Sequence, residues 1–323
     1  MAPGQAKFEV YNSPLSEYGV LGFEFGYSVA DPLSLVLWEA QYGDFANGAQ
    51  IMIDQFITTA EAKWGQPSGL VMLLPHGQEG GGPETFQRSF GTLPATSREN
   101  NICVAMPSTP AQYFHLLRRQ MRGGGGSARY AQAPDRDDRE KPPRHPKCVA
   151  SVDELAQGAF FPVVFDATVQ NPEQIKRIQI CAGKIYYELL AARESRGATD
   201  TAIIQMPQLY PFPKPEFAQM LRQYPNAEHV VWVQEEPRNM GAWPFLRGRI
   251  SPLLTNRQSF GYAGRPESAS PAPGSPQATR QGTVGRAGSG LRSAQRGAPL
   301  SQALYAPAEG AEIGLRSGQT WLL

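Results

Sequence analysis

Six residues, GLVMLL at 69–74, constrain this fold more than any other stretch of the chain. The run is too short for a helix, lacks the alternation of a half-exposed strand and is closed by Pro75, so it reads as a strand buried on both faces. Further short strands are read at 34–38, 102–106, 177–181, 201–206 and 229–234. Between them lie patterns of helical spacing: 48–64, with Ile53, Phe56, Ile57, Ala60 and Trp64 on one face, a segment capped by Ser108-Thr109-Pro110 and running to Gln120, then 183–196 and 214–223. Strands alternating with helices predict an α/β fold with parallel sheets and helices on both faces.

Residues 12–45 carry the candidate chemistry. Ser13-Pro14 reads as a helix start, which puts Glu17 in the first turn. Gly19, Gly22 and Gly26 recur along that helix, each costing about 1 kcal/mol of propensity against Ala, and close approach of a backbone or a cofactor is the usual reason for such glycines. A surface Glu beside a small-residue packing face is the alternative, since the helix dipole favours acids there. Tyr42 follows the first strand. His76-Gly77 follows the 69–74 run, at a strand's carboxyl end, where open α/β sheets hold ligands. A loop hydrogen-bonding role and a catalytic role both suit a lone His there.

The formal charge of +1 on 323 residues argues against nucleic acid as a partner. Without an apolar stretch of about 18 residues or a signal-peptide core after MAPGQAKFEV, the expectation is a soluble protein with no membrane partner. Its location is then the cytoplasm in a bacterium, or the mitochondrial matrix in a eukaryote. Cys103, Cys148 and Cys181 match no metal spacing and read as reduced, mostly buried thiols.

NSPLSEYGVLGFEFGYS at 12–28, LVLWEAQYGDFANGAQIMIDQFI at 35–57 and GLVMLLPHGQEGGGPE at 69–84 together resemble the 2-oxoglutarate dehydrogenase family, the thiamine-diphosphate-dependent decarboxylating component. The resemblance implies a transketolase-like pyrimidine-binding domain over 1–147 and a smaller C-terminal transketolase-like domain over 148–276. It implies that Glu17 hydrogen-bonds the cofactor's aminopyrimidine, that Tyr42, where the family often has Phe, stacks on that ring, and that His76 is a candidate catalytic group. Thiamine diphosphate is the implied cofactor, held here by its pyrimidine half only. Magnesium and the diphosphate are expected in an upstream domain, because no Gly-Asp-Gly site occurs in this chain. The implied partners are a second copy, as a homodimer, and a lipoyl-bearing succinyltransferase component. Close relatives also handle 2-oxoadipate.

Residues 121–143, MRGGGGSARYAQAPDRDDREKPP, contain no Val, Ile, Leu or Phe, so a buried strand expected after the preceding helix is missing and its neighbours would be left with an unpaired edge. The glycines at 123–126 lack the Gly-Lys-Ser/Thr and helix of a phosphate cradle. Read one base later, residues 131–143 can encode Arg-Lys-Pro-Leu-Ile-Val-Met-Thr-Gly-Lys-Ser-Leu-Leu, nearly the family's segment before the RHP found at 144–146. The same shift over 85–96 and 277–284 also yields family-like sequence. Three frame disruptions are therefore expected, two of them restored downstream. The first replaces the histidine of the family's Gly-Pro-Glu-His motif with Thr85. The last leaves 277–323, with eight Gly and no Lys, as a disordered tail.

Ser151 and Glu154 match a capping box. QLYPFP at 208–213 and EEPRNMGAW at 235–243 resemble the family's C-terminal domain. Glu235-Glu236 reads as solvated or capping rather than as an acid/base couple. A fragment of the decarboxylating enzyme, about the last third of the family's length and inactive alone, is the first functional expectation. A non-catalytic remnant, or a pairing module that needs a separate diphosphate-binding subunit, is the alternative.

Overall fold

The structure, a computed structural model, describes residues 4–75, 101–122, 128–131 and 146–268. Helix α1 spans Glu17–Ala30. Its cap is Ser16 rather than Ser13: the Ser16 N–H is turned back onto the Pro14 carbonyl at 2.7 Å, so the chain at Pro14 is not yet helical. The Ser16 hydroxyl instead accepts the Gly19 N–H at 3.3 Å. Glu17 is consequently the first residue of the helix, at its electropositive end.

Strand β1, Leu37–Glu39, lies slightly later than expected and pairs in parallel with β2, Val71–Leu73. The helix expected over 48–64 is broken into Gln50–Met52, a widened π turn at Ile53–Ile57 and Ala60–Trp64, preceded by a 3-10 segment at Gly43–Ala49. The Thr58 hydroxyl donates to the Ile53 carbonyl and that of Thr59 to the Asp54 carbonyl, which accounts for the widening. The extra residue rotates Trp64 off the buried face, leaving it 51% exposed.

Strand β3, Ile102–Ala105, is buried at every position. It is followed by the Pro110–Arg122 helix, whose start is held by the Thr109 hydroxyl accepting the Gln112 N–H. The missing strand is a sequence expectation that the structure overturns. Strand β4, Ala128–Ala131, sits between β2 and β3 and pairs in parallel with both. A slot between two parallel strands offers backbone donors and acceptors on both sides, and any non-proline backbone can satisfy them whatever its side chains. No unpaired edge is left there.

In the second unit, β5 (Arg177–Cys181), β6 (Thr201–Gln205), β8 (His229–Pro237) and β9 (Ser259–Arg265) form a parallel sheet in the order β6-β5-β8-β9. The Ile185–Arg196, Lys214–Gln223 and Trp243–Ile250 helices connect them. The Ser151 capping box forms as expected. Strand β7, Gln208–Tyr210, leaves this unit and pairs antiparallel with β3, so the first sheet runs β1-β2-β4-β3-β7. One apolar core is continuous across both units, from Leu21, Ile53 and Met72 to Ile178, Phe217 and Trp232, all at most 2% exposed. Each such side chain contributes roughly 1.5–3 kcal/mol.

Candidate cofactor site

Because β1, β2, β3 and β4 are parallel, their carboxyl ends share one edge of the first sheet. Helix α1 precedes β1 and runs back along the sheet, which brings its amino end to that same edge. Glu17, half-buried, is therefore carried to the edge where a parallel sheet holds ligands.

The 3-10 segment Gly43–Ala49 packs on α1 and organises the site. Tyr42 opens it in extended conformation, its carbonyl accepting the Phe45 N–H and its ring tilted against Phe45 with centroids 6.2 Å apart. The Gly43 N–H donates to the Pro75 carbonyl at 2.8 Å. A Cβ on Gly43 would meet Leu74 Cβ at 3.2 Å and the Pro75 carbonyl at 3.3 Å, so any side chain there would crowd the end of β2 by a few tenths of an ångström. At the other end of the segment, a Cβ on Gly48 would lie 3.7 Å from Glu17 Oε2.

Tyr42 is thus tied to the end of β2, and Glu17 faces the far end of the same segment, about 12 Å along it at the rise of a 3-10 helix. Glu17 and Tyr42 therefore stand at opposite ends of one segment. His76, the third expected site residue, follows Pro75 and lies outside the described residues, as does Thr85. Gly43 and Gly48 were not singled out by sequence reasoning. The signal was available in GDFANGA, where two glycines flank a segment too short for an ordinary helix.

Of the three glycines expected to allow close approach, Gly22 does so, with a Cβ there reaching Met52 Sδ at 3.3 Å. A Cβ on Gly19 would meet only the adjacent Ser16, and one on Gly26 would meet nothing within 4 Å. Among the described residues no three His, Cys, Asp or Glu side chains come together as a metal site. The three cysteines are free thiols, with Cys103 and Cys181 buried.

The second acidic pair departs from expectation. Glu236 is buried at the carboxyl end of β8, and burial pushes its carboxyl up against the opposing pull of Lys184 and Arg265. Glu235 faces Lys184, with Oε1 3.9 Å from Nζ. Beside them Gln234 holds the following loop. Its carbonyl oxygen accepts from Trp232 Nε1 at 2.8 Å and the Trp243 N–H at 3.0 Å, and its amide donates to the Met240 carbonyl at 2.8 Å.

Residues 2–128 match the family described as transketolase, pyrimidine binding domain. Residues 149–283 match that described as 2-oxoglutarate dehydrogenase C-terminal. The chain is 47% identical over 274 residues to the 2-oxoglutarate dehydrogenase E1 component of Cupriavidus necator, covering 85% of this chain and 28% of that protein. It is 46% identical to the same component of Haemophilus influenzae, over 84% of this chain and 28% of the relative. With that of Rickettsia conorii it is 45% identical over 84% of this chain and 29% of the relative. The chain spans less than a third of the length of these relatives. Among the described residues no helix is long and apolar enough to cross a membrane.

Proposed function

We infer that this chain is the C-terminal part of a 2-oxoglutarate dehydrogenase E1 component and supplies the pyrimidine half of a thiamine-diphosphate site. The observation that carries this reading is the pairing of a half-buried carboxylate and an aromatic ring across the Gly43–Ala49 segment, at the carboxyl edge of a parallel sheet.

The residues present fit that half of the cofactor. Glu17 offers acceptor oxygens at a helix amino end, suited to holding the proton on a ring nitrogen. Tyr42 offers a flat face for stacking. The close approach at Gly43 fixes where Tyr42 stands, and Gly48 leaves room beside the carboxylate. When bound, the cofactor supplies an electron sink for the decarboxylation of a 2-oxo acid. Glu17 would keep the ring nitrogen protonated and oriented, and His76 would be the nearby proton-transfer group. The diphosphate and magnesium belong to the upstream part of the longer relatives. The substrate is 2-oxoglutarate and the acceptor a lipoyl-bearing succinyltransferase component. The working enzyme is a homodimer in the cytoplasm of a bacterium.

The pyrimidine-binding unit occupies 1–147, the C-terminal unit 148–276, and 277–323 is an out-of-frame tail. Frame disruptions at 85–98, 121–143 and 277 are part of the same reading, supported by three recoveries of family-like sequence from one-base shifts. Resequencing the gene together with its upstream neighbour tests it, and an unbroken long frame would remove the disruptions.

Purified chain with thiamine diphosphate and magnesium should release no carbon dioxide from 2-oxoglutarate, whereas the frame-restored chain joined to its upstream part should. Release by this chain alone, abolished in Glu17→Ala, would show that the upstream part is dispensable. A frame-restored enzyme indifferent to Glu17→Ala would remove Glu17 from the site.

A further inference from the structure

The Ile185–Arg196 helix starts where the winding of the second sheet reverses. From β5 the chain passes to β6 on one side, while β8 and β9 lie on the other, so the carboxyl ends of β5 and β8 flank the switch point. Cys181 ends β5, and Gly183, at φ +71°, turns the chain into the helix. No side chain caps that start, and its first turn is closed by backbone alone, the Tyr187 N–H donating to the Lys184 carbonyl at 3.0 Å. Ile185 and Leu189 pack on Cys181, Ile203 and Val233, which puts the helix on the face of the sheet that those three residues share. Side chains alternate along a strand, so Gln205 and Glu235, each two residues beyond a member of that set, lie on the same face at the carboxyl edge. The contact made by Lys184 agrees with this: its Nζ is 3.9 Å from Glu235 Oε1, and the two side chains are 15% and 22% exposed. Gln205 stands in register with Cys181 and is 7% exposed, and its Oε1 is buried with no hydrogen-bond partner among the described residues. Burying an acceptor without a donor is unfavourable, and a ligand that brings an O–H to it removes that cost.

We propose that this edge binds a protonated phosphate group, with its anionic oxygens on the Lys184 ammonium and the amino end of the Ile185–Arg196 helix and its P–O–H donating to Gln205 Oε1. A helix amino end draws anions through its N–H groups and its dipole, and the lysine adds a full positive charge. Those two features suit any oxyanion. The acceptors beside them are selective: Gln205 Oε1 and the Glu235 carboxylate present lone pairs, which repel a bare anionic oxygen and accept from a protonated one. Burial pushes the Cys181 thiol up, so it stays neutral and adds no further charge. Phosphate and phosphomonoesters keep a proton at about pH 6, near the second ionisation of the esters, whereas sulfate carries none. The edge therefore distinguishes tetrahedral anions of similar size by whether they carry a proton. It belongs to the second sheet and does not rest on the roles given to Glu17 and Tyr42.

The test is titration calorimetry of the full chain at about pH 6 and constant ionic strength, with sodium phosphate, glycerol 2-phosphate and sodium sulfate as probes. Phosphate should bind at least about tenfold more tightly than sulfate, the discrimination expected of one hydrogen bond to a buried acceptor. Glycerol 2-phosphate binding as well as phosphate would identify the ligand as a phosphomonoester, and binding of phosphate without the ester would identify it as the free ion. Gln205→Met keeps the length of the side chain and removes the acceptor, so it should bring phosphate down to the level of sulfate. Lys184→Met should weaken phosphate by at least about tenfold. Circular dichroism and thermal melts check that both variants fold, and the comparison of phosphate with sulfate on the parent chain needs no variant. Equal binding of phosphate and sulfate would overturn the proposal, as would the absence of phosphate binding at millimolar concentration. So would folded Gln205→Met and Lys184→Met variants that bind phosphate as the parent does.

Discussion

Glu17 and Gly48 face each other across the junction of α1 and the 3-10 segment, close enough that a methyl group on Gly48 would sit 3.7 Å from Glu17 Oε2. Such a contact is an ordinary one, so Gly48→Ala should leave the fold and the carboxylate in place. In the frame-restored enzyme Glu17→Gln should lower kcat by about 10²- to 10⁴-fold, the usual range for loss of a proton-transfer partner. Tyr42→Phe keeps the stacking face and should change kcat less than severalfold. Steady-state kinetics of the three variants, with circular dichroism as the folding control, checks the set. An active Glu17→Gln enzyme would count against the assignment.

A second expectation concerns the buried pair Arg193 and Asp166, whose side chains are 10% and 4% exposed. Asp166 also accepts the Ile203 N–H and the Thr168 hydroxyl, while Arg193 donates to the Thr168 hydroxyl and the Thr201 carbonyl. The pair links the loop before β5 to the start of β6. Arg193→Met would strand a buried carboxylate and should cost about 3–5 kcal/mol in urea unfolding. A loss below about 1 kcal/mol would mean that Asp166 finds another partner.

Gln234 satisfies two indole-flanked donors and the loop carbonyl of Met240. Gln234→Leu leaves these groups buried and unpaired, at about 1–3 kcal/mol each. The expected result is a stability loss of about 3 kcal/mol or more, with a shifted Trp emission spectrum from Trp232 and Trp243. Gly241→Ala should damage the same loop independently. Its φ of +62° disfavours a side chain, and the added Cβ would come within 2.7 Å of the Gln234 amide nitrogen.

Glu236 predicts a pH dependence. Burial raises its folded-state pKa above the unfolded value, so the folded chain holds the proton more tightly. Stability from this group is full below the unfolded carboxyl range and declines as pH rises through the raised folded value. Glu236→Gln removes the decline. Thermal melts of parent and variant should converge in acid and separate toward neutral pH, with the variant melting higher. A variant that melts lower at neutral pH would show that Lys184 and Arg265 outweigh the desolvation of the carboxylate.

Short stretches rich in Val, Ile and Leu made β2, β3, β5, β6 and β8 legible, because strands buried on both faces are mostly apolar. β4 was not legible: its backbone fits a slot that its side chains do not announce. β9, SFGYAGR, mixes glycine with half-buried aromatics and carries no apolar run. At the proposed site, Glu17 and Tyr42 were singled out through resemblance. The roles of Gly43 and Gly48 depend on which groups pass beside them, the end of β2 for one and the Glu17 side chain for the other, which a single sequence does not state. Glu236 was misjudged because a charged side chain reads as surface, and only its place near the end of β8 makes it interior.

Strand β7 belongs by sequence to one unit and by hydrogen bonding to the other. Arg119, on the helix after β3, donates to the Gln208 side chain at 3.0 Å at that seam. Pulled apart, the units would have to surrender both a ladder and a shared core at once. Chemical unfolding should accordingly proceed as one cooperative event, with Trp38 beside β2 and Trp232 in the second sheet reporting the same midpoint. Evolution would find it hard to shuffle such units separately, since either one released alone carries half of a torn seam.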